Sequence, residues 1–195
     1  MYHPEAFDPI VAFLGGIGIR VVVAEGLPEA RDGFLPGVAI RDGALHVDPA
    51  TLAGSGDLLH EAGHLAILPP RIRERIGPDA HADMVAAIEA ETGGGPPADP
   101  ILAAPYRQDE MMAQAWSYAA ALAIGVDPDC VFFPGSYKHT DYEGTHPMRR
   151  WIESGTHFGP LSLAQVGMTG FSGMLAIGRN NGLPPYPAMT RWVQG

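Results

Sequence analysis

The spacing of apolar residues changes several times along the chain, and each change marks an element. Residues 4–14, PEAFDPIVAFL, have a short helical pattern that stops at Gly15-Gly16. IRVVVAEG, residues 19–26, is rich in β-branched side chains and bounded by glycine, which predicts a strand. From Gly37, GVAIRDGALHVDP splits into two β-prone runs, Val38-Ala39-Ile40 and Ala44-Leu45-His46-Val47, around Arg41-Asp42-Gly43. Asp-Gly between two such runs is a hairpin signal. Residues 50–68 read as a helix, with Leu58, Ala62 and Leu65 on one face and Pro69-Pro70 as the stop. A second helix, PDAHADMVAAIEAE, ends before Gly93-Gly94-Gly95-Pro96-Pro97. A third, RQDEMMAQAWSYAAALAI, spans about Arg107 to Ile124; its alanines give it high helix propensity. Beyond Pro128 the pattern weakens, with short helices expected around 147–154, 160–168 and 187–194. The order predicts an α+β fold, with a small antiparallel or mixed sheet packed on helices. A single domain over residues 1–195 is expected, because the Gly/Pro tract is too short to divide it.

Composition narrows the class. The chain is 46% hydrophobic and 17% charged, as a globular protein is, and its formal net charge is −10. That charge argues against nucleic acid or an anionic membrane as partner, since both need clustered Lys and Arg; Lys138 is the only lysine. Cys130 is the only cysteine, which excludes an internal disulfide and a cysteine-rich zinc site, and it reads as a small buried hydrophobe. The N-terminus lacks a basic region before its apolar run, and no apolar run reaches 18 residues. Neither a signal peptide nor a membrane span is expected, so the expected location is cytoplasmic.

The chemistry concentrates in DLLHEAGHLAIL, residues 57–68, which contains His60-Glu61-Ala62-Gly63-His64. Residues four apart share a helix face, so both imidazoles can reach one ion. Glu61, rotated by roughly 100° from His60, stands beside the open coordination position. There it can accept a proton from an activated water and later deliver it to a leaving amine. Ala62 and Gly63 leave room for a neighbouring strand or substrate. Two histidines beside a glutamate in an apolar run would otherwise need buried partners. The pattern therefore favours a metal, and zinc is the expected cofactor.

A catalytic zinc site takes three protein ligands. The metzincin extension would need Gly and His where Ile67 and Pro70 stand. Glu89 and Glu91 lie at a helix end beside the flexible loop, and His81, His139, His146 and His157 lack supporting context. Glu110 is the strongest candidate. It falls in the first turn of the third helix and is followed at helical spacing by Ala113, small enough for close packing on the HEAGH helix, and Trp116, expected in the core. Asp109 better fits a carboxylate favoured by the helix dipole. An oxyanion donor is also needed for amide hydrolysis. Tyr137, His139, Tyr142 and His157 are the candidates for that role.

The strand IRVVVAEG, the extended VAIRDGALHVDP, the LLHEAGHLA helix and EMMAQAWSYA together resemble the HExxH zincins with a glutamate third ligand. Within them the chain is similar to the small ImmA/IrrE-type metallopeptidases over roughly residues 15–125. The last segment is similar to that family's Glu-x-x-Ala-x-x-aromatic-Ala helix, with Ser117 where alanine is usual. The resemblance implies a zincin-like fold, zinc on His60, His64 and Glu110, and Glu61 as general base. It also implies a strand near residues 38–47 that lines the cleft and pairs with a peptide or protein substrate. The chain departs from the family in the long spacing from His64 to Glu110. It also has Gln114 where larger glutamate zincins often carry Asp. The competing expectations are a zinc-binding regulatory protein that cleaves nothing and a helical domain without metal.

Overall fold

Helix α1 (Phe7–Gly16) leads into strand β1 (Val21–Val23) in the computed structural model, which describes residues 1–27 and 35–195. The hairpin signal is realised as β2 (Val38–Arg41) and β3 (Ala44–Val47), paired antiparallel with Val38 opposite Val47 and Arg41 opposite Ala44. Asp42 (φ 48°) and Gly43 (φ 65°) form the two-residue turn, and two successive positive φ angles match the twist of the flanking strands. β1 adds to β3 in parallel, so the sheet is mixed, with order β1-β3-β2 and β2 at one edge.

The HEAGH segment is helix α2 (Asp57–Ala66), shorter than the periodicity of residues 50–68 predicts. The chain before it is held as a turn by Asp48, whose carboxylate accepts from Ala50 N–H (3.0 Å) and Gly26 N–H (2.8 Å). Asp57 accepts from Gly54 N–H (3.0 Å) at the helix start. Beyond α2, Arg73 in α3 (Pro70–Arg73) donates to the carbonyls of Leu65, Leu68 and Gln194, tying the end of α2 to the end of the chain.

Helix α4 (Ala80–Thr92) is capped by Asp79, which accepts from Ala82 N–H, and ends at Gly93 in the left-handed region. Helix α5 (Pro100–Ala123) begins seven residues before the expected start at Arg107, capped by Asp99. Its helical dihedrals break at Gln108 (φ −148°, ψ 33°), three residues after Pro105, and resume at Asp109, so Glu110 lies in the first turn of a fresh helical run. Helices α6 (Pro147–Glu153) and α7 (Phe158–Gln165) follow near their expected positions. The helix expected over 187–194 is absent. That segment instead bonds back to the chain after α7, through Thr190 N–H to Met168 O (2.9 Å) and Thr169 Oγ1 to Ala188 O (2.7 Å).

The described residues thus make a mixed α+β fold of seven α-helices and one three-stranded sheet. α5 packs against both α2 and α7. Leu58, Leu59, Leu65 and Trp116 are fully buried in the shared core, with Trp116 Nε1 donating to Trp192 O (2.8 Å). Cys130 is buried as expected, and burial pushes its thiol up to about 12. No described helix is long and apolar enough to cross a membrane.

Candidate metal centre

The close contact of α2 with α5 builds the site. A side chain at Gly63 would meet Ala113 at 2.9–3.0 Å, so the space that Gly63 leaves is filled by α5 rather than by a strand or substrate. One turn before Ala113, Glu110 comes level with the two histidines. His60 Nε2 and His64 Nε2 stand 3.3 Å apart, and Glu110 Oε2 lies 3.6 Å from the first and 3.5 Å from the second. Both imidazoles are buried, whereas the Glu110 side chain is half exposed, to the cavity that the site floors. These three residues form a group able to hold a metal ion.

The second nitrogen of His60 has a hydrogen-bond partner, and that of His64 faces a nearby carboxylate. The Tyr137 hydroxyl is 3.0 Å from His60 Nδ1, and Asp109 Oδ2 lies 3.9 Å from His64 Nδ1 while bonding His81 Nδ1 at 2.8 Å. Groups on Nδ1 hold the ring and leave Nε2 toward the centre of the site. Asp109 is therefore buried behind His64 rather than acting as an exposed helix-end carboxylate. His81, which lacks supporting context in the sequence, is exposed and sits at the cavity wall.

The electrostatics follow from two buried rings sharing one carboxylate. Burial lowers the pKa of His60, only partly opposed by Glu110. Burial also works against charge on His64, but its contact with Glu110 and the fields of Glu61 and Asp109 prevail and raise it. Burial alone would raise Glu110. The two histidines outweigh it and hold the carboxyl well below the usual range. The group thus favours an ionised carboxylate facing positive charge.

A cavity of about 710 Å³ opens above the three side chains. Val38, Ala39 and Ile40 of the edge strand β2, Phe133 and Glu61 line it, and Lys138 stands at its wall. The expectation for residues 38–47 narrows to β2, because no β3 residue reaches the cavity. Asp57, one turn before Glu61 and on the same wall, escaped the sequence reading, although its i, i+4 spacing from Glu61 was there to find. Burial raises its carboxyl to about 7, with the Gly54 N–H opposing and Glu61 adding to the rise.

Of the four residues considered as oxyanion donors, Tyr137 alone lines the cavity. It does so from a strained backbone, with Tyr137 at φ 50° and Lys138 at φ 64°. His139 and Tyr142 pack edge-on against His146, at ring separations of 5.2 and 5.0 Å. His157 lies behind Glu110, bonded to Gln114. Among the alternatives for third ligand, Glu89 bonds the Tyr106 hydroxyl and Glu91 bonds Arg71, both away from the histidines.

Comparison of the chain with protein-family models, with curated proteins and with solved structures finds no match.

Proposed function

We propose that the protein is a zinc-dependent metallopeptidase, zincin-like with a glutamate third ligand and akin to the ImmA/IrrE type. The observation that carries this reading is the mutual spacing of three donor atoms. Zinc bonds of about 2.0–2.1 Å at tetrahedral angles place neighbouring donors about 3.3–3.4 Å apart. The separations here are 3.3, 3.5 and 3.6 Å. Two imidazoles, neutral once they ligate a metal, and a carboxylate also suit zinc and leave a fourth position toward the cavity.

Zinc bound there would supply a Lewis acid that polarises the scissile carbonyl and makes water acidic near neutral pH. The remaining work falls to the chain. The Glu61 carboxylate, on the cavity wall, accepts the proton from the attacking water and returns it to the leaving amine. The outer edge of β2, which pairs with no other strand among the described residues, offers backbone N–H and C=O groups to an extended peptide, and Val38, Ile40 and Phe133 offer apolar surface to its side chains.

The test begins with metal analysis of the purified protein, where about one zinc per chain is expected, and none in the His60→Ala/His64→Ala variant. Glu61→Gln should keep zinc and fold while cleavage of a mixed peptide library falls at least about 10²–10⁴-fold. Zinc binding without any cleavage by wild type would favour a non-catalytic regulatory protein. Equal cleavage by wild type and Glu61→Gln would remove Glu61 as the base.

A further inference from the structure

The third ligand has support that neither histidine shares. Gln114, one helical turn after Glu110, donates from Nε2 to Glu110 Oε1 at 2.9 Å. His157 Nε2 meets Gln114 Oε1 at 3.1 Å, and the Gly159 N–H donates to His157 Nδ1 at 3.1 Å, capping α7. Only one assignment of protons satisfies all of these contacts. A backbone N–H can only donate, so His157 Nδ1 accepts and the ring proton of the neutral imidazole is on Nε2. That proton goes to Gln114 Oε1, which turns the amide NH₂ toward Glu110. An ionised carboxylate can only accept. Reversing the Gln114 amide would set oxygen against oxygen at one end and N–H against N–H at the other.

The packing holds this chain of bonds in place. A side chain at Gly159 would collide with Met111 O and lie 2.7 Å from Ala115 Cβ, so α7 and α5 approach closely beside Gln114. Trp151 stands edge-on to His157 with ring centroids 4.5 Å apart. Gln114 is 4% exposed and His157 2%, which leaves little room for water to compete.

We propose that Gln114 and His157 are positioning residues for the metal centre, a directed relay running from the backbone at the start of α7 to Glu110. The relay engages Oε1 and leaves Oε2 as the oxygen facing the two imidazoles. It thereby holds the site to three protein donors and keeps a coordination position for substrate. It also brings the start of α7 into the support of the site. The proposal rests on the metal-centre reading, and its test separates the two.

The experiment compares Zn²⁺ and Co²⁺ affinity, the visible spectrum of the Co²⁺ form and the apo-protein Tm. The proteins are wild type, Gln114→Leu, His157→Asn and the double variant. Asn at 157 can still cap α7 by accepting from Gly159 N–H, but its shorter side chain does not reach Gln114. The apo Tm of His157→Asn should therefore stay near wild type while metal affinity falls about 10–100-fold. Gln114→Leu should lose affinity to a similar extent, and the double variant no further, because both residues act through one chain of bonds. The Co²⁺ spectrum should change as Oε1 is released. Wild-type affinity in both single variants, or losses that add in the double, would overturn the relay and leave the metal centre standing. Loss of fold in both single variants would assign them a structural role and overturn it as well. If wild type itself bound neither ion, the metal reading would fail and the relay with it.

Discussion

Gly63 precedes His64 at the point where α2 meets α5, and a single methyl group there probes fold and site together. Its carbon would lie 2.9 Å from Ala113 Cα and 3.0 Å from both Ala113 Cβ and the Ala113 carbonyl oxygen. Carbon atoms pack at about 3.5–4.0 Å, so the two helices must separate by roughly 0.6 Å or more. Two effects oppose one another. Within a helix, alanine in place of glycine stabilises by about 0.5–1 kcal/mol. The atoms met here belong to the backbone of a second helix and cannot swing aside, and overpacking of this kind destabilises by about 1–3 kcal/mol. Overpacking wins, and Gly63→Ala should lose about 1–2 kcal/mol, or about 2–8 °C in Tm for a chain of this size. The site should suffer as well. Glu110 lies one turn before Ala113, so the same displacement reaches a carboxylate oxygen that is 3.5 Å from His64 Nε2. Functional constellations tolerate about 0.5 Å, and zinc affinity should fall about tenfold or more. Thermal unfolding of the apo protein and competitive zinc titration measure the two effects. A variant more stable than wild type, with unchanged affinity, would refute the close contact of α2 with α5.

Tyr137→Phe removes the hydroxyl 3.0 Å from His60 Nδ1 and leaves that ring nitrogen without its partner; zinc affinity should drop about 10–100-fold, and a calorimetric titration matching wild type would remove Tyr137 from the site. Burial holds His157 down at about 4, against 6.5 for a free histidine. Because its folded pKa is depressed, its contribution to stability is full above 6.5 and is lost as pH falls toward 4, by about 2 kcal/mol at pH 5. His157→Asn lacks this proton uptake, so between pH 7.5 and 5 wild type should lose stability relative to the variant, an arrangement in which the opposite trend of Asp57 cancels; parallel stability curves would refute it.

The local rules sufficed for whatever a few neighbouring residues decide. Asp42-Gly43 specified a hairpin because two left-handed residues match the strand twist. His60 and His64 could be placed on one face because four residues make about one helical turn. Ala113 was legible as a contact because it is small and follows Glu110 at helical spacing. Element ends were less legible. α5 begins at Pro100 because Asp99 caps it, while the break at Gln108 hides that start behind a second apparent one. Only the tertiary structure assembled the rest. Tyr137 reaches His60 from 77 residues away through a backbone turn that Tyr and Lys adopt only under strain. Asp109 became a buried partner of His64 and His81 because the packing of α2, α4 and α5 encloses it, which the helix dipole could not reveal. Gln114 in the sequence was merely a departure from a pattern. Its direction and use depend on His157, 43 residues further on, and that ring's proton is placed by one backbone N–H at the start of α7. Periodicity carries information over a turn or two of chain, whereas hydrogen-bond polarity passes between elements and exists only once they are packed.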